Sequence, residues 1–256
     1  MVPYYKEIGN EKQVFMGAFE RKLPVLLKGP TGSGKSRFVE AMAHQLGCEL
    51  IKVSCNEDTS SSDLLGRYLL KGSETIWQDG PVLRAVRKGT LLYLDEIAEA
   101  REDVIVVLHS LTDHRREIVV DRINEVVQAP ASFMLVASFN PGYQSRLKEM
   151  KPSTRQRFVT FDFDYPVEMI EREIIQKETN CSEKIASQLA ILAKKIRSLD
   201  ELTLRETVST RLLVNAAHLI QAGVDSRQAC NVGIVNALTD DISVARGLKD
   251  LCALYF

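Results

Sequence analysis

Eight consecutive residues constrain this chain more than any other feature: Gly29-Pro30-Thr31-Gly32-Ser33-Gly34-Lys35-Ser36. They satisfy GxxxxGK[ST] in full. They also sit between an apolar run, Pro24-Val25-Leu26-Leu27, and a helical pattern that opens near Lys35. That strand–loop–helix setting separates a phosphate loop from a chance glycine-rich turn. Glycines let the backbone wrap closely around phosphate, so that successive N–H groups point inward. The following helix contributes its positive end. In this reading Gly29, Pro30, Thr31, Gly32, Ser33 and Gly34 form the cradle. Lys35 reaches the β- and γ-phosphates of ATP, and the Ser36 hydroxyl ligates Mg2+.

Such a loop needs a second half. Leu91-Leu92-Tyr93-Leu94 is an apolar run ending in Asp95-Glu96. Two acids at the end of a buried strand are costly unless both have work there. Asp95 fits the carboxylate that holds magnesium, and Glu96 fits the group that polarises the attacking water. A third run, Phe133-Met134-Leu135-Val136-Ala137, leads to Ser138-Phe139-Asn140-Pro141. Asn140 either senses the γ-phosphate through its amide or serves as an Asn-Pro turn former. With Leu50-Ile51-Lys52-Val53 and Phe158-Val159-Thr160-Phe161, the apolar runs predict an α/β domain. Near-continuous apolarity in three of them marks central parallel strands, with ligands at their carboxyl ends.

Strand-like runs cease after Asp164-Tyr165-Pro166, which divides the chain into residues 1–165 and 166–256. Helical patterns cover 167–178, 182–197, 209–221, 225–238 and 241–253. Ile118 to Gln128 reads as a hairpin, and residues 67–80 as a second protrusion whose Trp77 is either a core anchor or an exposed contact. Ser209 is a good N-cap and puts Arg211 in a first helical turn. A cation is mildly unfavourable there, which makes sense if it faces a bound phosphate; a local ion pair with Glu206 or another acid is the alternative. Arg155 and Arg157 precede the last strand. Either can enter a neighbouring subunit's site as an arginine finger, with Arg157 first and a surface ion pair as the plainer option.

Composition narrows the classes. Lysines and arginines number 33 against 34 acids, a net charge near −1 that offers no general attraction to nucleic acid or anionic lipid. No apolar stretch approaches a membrane span, and the first residues lack the plan of a signal peptide, so a cytoplasmic protein is expected. Five scattered cysteines read as reduced, mostly buried thiols, and four dispersed histidines form no HExxH unit. A nucleic-acid-stimulated motor and a nonhydrolysing nucleotide-dependent scaffold are the competing classes. A small-molecule kinase would not need Glu96 together with the distal arginines.

On these residues the chain resembles a AAA+ ATPase of the MoxR group, and more narrowly the CbbQ/NorQ/NirQ branch with GvpN as a relative. The phosphate loop, Asp95-Glu96, Asn140, Arg157-Phe158 and Ser209-Thr210-Arg211 carry the likeness. Ser62-Asp63-Leu64-Leu65-Gly66, Ile76-Trp77-Gln78-Asp79-Gly80-Pro81 and Asn140-Pro141-Gly142-Tyr143-Gln144-Ser145 carry it further. Typical MoxR members often have Pro where this chain has Thr210. The resemblance implies a five-stranded parallel sheet in the order 5-1-4-3-2, a helix-2 insertion and a small helical lid. It also implies a hexameric ring and a partner with a von Willebrand factor A domain, CbbO-like or NorD-like, bound through a metal-ion adhesion site. The client implied is rubisco, freed of inhibitory sugar phosphates, or a nitric oxide reductase brought to maturity. Overall resemblance leans to rubisco.

Overall fold

The computed structural model describes residues 3–141, 150–199, 204 and 206–256. Its first part runs α1 (Glu11–Glu20), β1 (Val25–Lys28), α2 (Lys35–Leu46), β2 (Leu50–Ser54) and α3 (Ser61–Leu65). A hairpin of β3 (Gly66–Lys71) and β4 (Glu74–Asp79) follows, then α4 (Pro81–Lys88), β5 (Leu91–Asp95) and α5 (Glu102–His109). A second hairpin, β6 (Glu117–Val120) with β7 (Glu125–Gln128), precedes β8 (Met134–Phe139), α6 (Pro152–Arg155) and β9 (Val159–Asp162).

Five strands form one parallel sheet in the order β2-β5-β8-β1-β9. Numbered along the sheet-forming strands alone, this is the expected 5-1-4-3-2. The three runs that read as near-continuously apolar, β1, β5 and β8, occupy its centre and are buried almost throughout. The edge strands β2 and β9 alternate, as strands with one covered flank do.

Strand periodicity then assigns faces. Leu92, Leu94, Leu135 and Ala137 join Val82, Leu83 and Val86 of α4 in one core layer. Tyr93, Asp95 and Ser138 therefore share the opposite face. Phe15 and Phe38 meet edge to face at 5.4 Å, and Phe38 lies 6.1 Å from Phe161.

Both hairpins are antiparallel pairs. Trp77 is a half-buried anchor rather than an exposed contact. It packs on the core, lies edge-on to Tyr68 at 5.2 Å, and donates from Nε1 to Asp79 at 2.7 Å. It also covers Gly66, whose φ of 142° and lack of a Cβ let the indole sit where a side chain would be 2.6 Å away.

The remaining elements are helical: α7 (Glu168–Thr179), α8 (Glu183–Arg197), α9 (Thr210–Gln221) and α10 (Ser226–Cys230). The last of these passes through a π-turn at Asn231–Val235 into α11 (Asn236–Leu238), and α12 (Ile242–Tyr255) follows. Ile175, Leu189, Leu192, Leu213, Ala216, Ile234 and Leu248 form their core. By contacts the chain separates into two units, and the change falls between Asp162 and Phe163. Residues 4–8 and 30–34 cluster with the helical unit. Tyr4 and Lys6 reach Glu173 there at 3.1 and 3.0 Å, and the Tyr165 hydroxyl donates to the Thr31 carbonyl at 3.1 Å.

Within that helical unit Glu171 is fully buried yet charged, which requires partners. Arg197 forks onto it with two bonds of 2.8 Å, and the Thr210 hydroxyl donates to it at 2.6 Å. The same guanidinium lies 4.3 Å over the Tyr165 ring. Breaking such a pair from one side strands the other charge. Glu171→Ala is thus expected to destabilise the helical unit by ~3–5 kcal/mol, read as a lowered thermal midpoint; an unchanged midpoint would contradict it. Among the described residues no helix is long and apolar enough to cross a membrane.

Candidate functional site

The carboxyl ends of β1, β8 and β5, three adjacent strands, carry Gly29, Asn140 and Asp95 in turn. The Gly29 N–H bonds the Phe139 carbonyl at 3.3 Å, which ties the start of the phosphate loop to the strand that delivers Asn140. The loop turns on left-handed glycines, Gly32 at φ 71° and Gly34 at φ 95°. Ser33 pins it from inside by donating to the Pro30 carbonyl at 2.9 Å. Lys35 opens α2, is nearly buried, and donates from Nζ to the Gly29 carbonyl at 2.7 Å, folded back across its own loop.

The first turn of α2 brings Ser36 to the end of β5. Its hydroxyl lies 3.3 Å from Asp95 Oδ2 and 3.2 Å from the Tyr93 hydroxyl. Tyr93 donates to Asp95 Oδ1 at 2.8 Å, and Ser138 donates to that same oxygen. Burial, with Asp95 adding to it, pushes the Tyr93 phenol upward, so it stays a donor.

Glu96 turns away from this cluster. The strand ends at Asp95, and Glu96 takes a left-handed backbone, φ 55° and ψ 44°, before a 3-10 turn at Ile97–Glu99. Its side chain is exposed, whereas Asp95 is half-buried. The two acids therefore face different surroundings. Beneath them, burial pushes the Cys55 thiol up to about 12, with Asp95 and Glu96 adding to the effect, so Cys55 is an inert thiol. Every cysteine is free, and four of the five are buried.

Ser209 caps α9 by accepting from the Leu212 N–H at 3.4 Å, which sets Arg211 in the first turn. Gly32 belongs to the same contact unit as α9. A Cβ on Gly32 would lie 2.6 Å from the Ser209 Cβ and 3.5 Å from the Arg211 Cβ. The phosphate loop can approach this helix start only because position 32 has no side chain. Arg211 itself is exposed.

Of the two candidate fingers, Arg155 ends α6, is exposed, and lies 5.9 Å from the Phe139 ring centroid. Arg157 is half-buried and 3.7 Å from Asp113. That acid is already engaged by Arg115, at 2.7 Å for the shortest bond, and the Arg115 fork draws it down to about 2. Arg157 Nε is buried without a hydrogen-bond partner among the described residues. The segment Gly142-Tyr143-Gln144-Ser145 lies outside the described residues.

Sequence reading missed Tyr93, Ser138, Glu171 and Tyr165. Tyr93 and Ser138 carried a signal, since each interrupts an otherwise apolar central strand with a hydroxyl. The donor set suits a magnesium nucleotide. It offers hard oxygens from Ser36 and Asp95 in mutual contact and a lysine that reaches back to the Gly29 carbonyl.

Known families account for most of the chain. Residues 24–158 match the AAA domain of the dynein-related subfamily, and residues 171–255 match the C-terminal region of CbbQ, NirQ and NorQ. The chain belongs to the CbbQ/NirQ/NorQ family of AAA+ ATPases. It is 53% identical to protein NorQ of Paracoccus denitrificans over 254 residues, covering 99% of this chain and 94% of that one. It is 49% identical to the denitrification regulatory protein NirQ of Pseudomonas aeruginosa, covering 99% and 97%. Against protein CbbQ of Hydrogenophilus thermoluteolus the identity is 47%, covering 96% and 92%. A RuvB variant of Thermotoga maritima superposes with a TM-score of 0.58 at 17% identity, over 96% of this chain and 71% of that one, a likeness of fold. As a CbbQ/NirQ/NorQ protein this chain is an ATP-hydrolysing enzyme, a magnesium-dependent remodelling chaperone of the AAA+ class. The lean towards rubisco runs against these identities, which favour NorQ and NirQ.

Proposed function

We propose that residues 29–36 hold the phosphates of ATP, that Ser36 and Asp95 hold magnesium, and that Glu96 is the base. The observation that carries this reading is the meeting of Ser36 Oγ and Asp95 Oδ2 at 3.3 Å beside a Glu96 turned out of the strand. Magnesium, when bound there, neutralises charge on the phosphate oxygens. Glu96 accepts the proton of the attacking water, and Asn140, emerging next to β5's end, orients that water or the γ-phosphate through its amide. Arg211 senses phosphate from the start of α9; the closeness of Gly32 to Ser209 and Arg211 supports this. Arg157, with Arg155 as second choice, completes the site of a neighbouring subunit.

The assembly this requires is a homo-oligomeric ring, hexameric by family resemblance and cytoplasmic. Residues 1–165 serve as its nucleotide-binding core and 166–256 as a lid. The two hairpins are its moving contacts with a von Willebrand factor A domain partner. The client is a nitric oxide reductase of the NorQ/NirQ type rather than rubisco; the higher identity to NorQ, 53% against 47% for CbbQ, supports that choice. Purified with NorD-like and CbbO-like partners, the protein is expected to show ATPase stimulation with the first and to promote nitric oxide reductase maturation. Stimulation by the CbbO-like partner alone, with reactivation of inhibited rubisco, would reverse the assignment.

A further inference from the structure

We propose that Ser138 is a positioning residue that sets Glu96 for proton abstraction by tying its backbone to the Asp95 carboxylate. This rests on the reading of Asp95 and Glu96 just given. Ser138 is fully buried in the central strand β8, on the same face as the buried Met134 and Val136, where a hydroxyl is costly unless bonded. Its Oγ accepts from the Glu96 N–H at 3.2 Å and donates to Asp95 Oδ1. One proton and two lone pairs allow both bonds at once.

The tie matters because Glu96 occupies a backbone region that disfavours any residue with a Cβ. Such a conformation persists only where its surroundings over-determine it. The Ser138 bond is a direct constraint from the neighbouring strand on that peptide. Asp95 has further support from Tyr93 and Ser36, so it does not depend on Ser138 alone. Glu96's backbone N–H has its bond to Ser138. Removing the hydroxyl therefore takes the bond from the Glu96 N–H, while the Cys55 bond to the Asp95 carbonyl at 2.9 Å and the carboxylate beside Ser36 stay in place.

The test compares Ser138→Ala and Ser138→Thr with the wild-type chain. In ligand-free protein, native-state exchange of the Glu96 amide is expected to quicken roughly fivefold to tenfold in Ser138→Ala and to recover in Ser138→Thr, which keeps the hydroxyl. In steady-state assays, Ser138→Ala is expected to lower kcat about tenfold while KM for ATP stays within about twofold. In a Glu96→Gln background the same substitution should add no further loss. Unchanged amide exchange would overturn the proposal. So would a loss confined to nucleotide affinity and thermal stability. If Ser138→Ala does not fold, Ser138→Cys keeps the volume with a weaker partner and is read in the same way. Wild-type turnover by Glu96→Gln would instead sink the base assignment, which the exchange measurement separates from the Ser138 tie.

Discussion

Glu96→Gln is expected to retain ATP and to lose turnover by about a hundredfold to ten-thousandfold, the range a positioned base contributes. Binding should survive because the groups assigned to phosphate and metal lie elsewhere. Lys35 and the glycine turn belong to the loop after β1, and Asp95 faces Ser36 across from α2. Glu96 is one residue further on, but its left-handed backbone takes it out of that cluster. Gln keeps the volume and a hydrogen-bonding oxygen, so the backbone and its Ser138 bond have no reason to change. What disappears is the capacity to take a proton. The check is a pair of measurements on one preparation, bound nucleotide and phosphate release. Near-normal release with ATP bound would remove Glu96 from the mechanism.

Arg157→Ala is expected to be nearly as damaging, by roughly a thousandfold where an arginine finger acts, with nucleotide binding kept. The local geometry favours Arg157 over Arg155. Asp113 is its nearest acid, yet Asp113 is held by the Arg115 fork, and Arg157 Nε is buried without a hydrogen-bond partner among the described residues. Arg155 is exposed at the end of a short helix and should be the milder substitution. A finger acting in trans has a further consequence. Rings mixed from Arg157→Ala and Glu96→Gln subunits should regain turnover, since some interfaces then pair an intact base with an intact arginine. Verified mixed rings that stay inactive would place Arg157's effect inside its own subunit.

Much of this fold was legible because its signals are local or periodic. The phosphate loop announces itself in one stretch, and the continuously apolar runs of β1, β5 and β8 separate central strands from alternating edges. Ser209 as a helix cap was readable for the same reason, and its bond to Leu212 is a neighbourly one. What escaped depends on residues far apart in the chain. Tyr93, Ser138 and Ser36 converge on Asp95 only once strand register and the α2 start are known. Thr210 stands where the resemblance leads one to expect Pro, yet its hydroxyl serves Glu171, 39 residues away. No spacing rule exposes such a pairing. Arg157's relation to Asp113 was likewise hidden, because it requires the segments that follow α5 and α6 to meet.

Equilibrium binding of Mg-ATP to the wild-type chain and to Lys35→Ala bears most directly on the whole account. Tight, magnesium-dependent binding by the wild type, weakened roughly tenfold to a hundredfold by loss of the lysine, is the expected result. Equal affinity in the two proteins, or no binding by either, would contradict it.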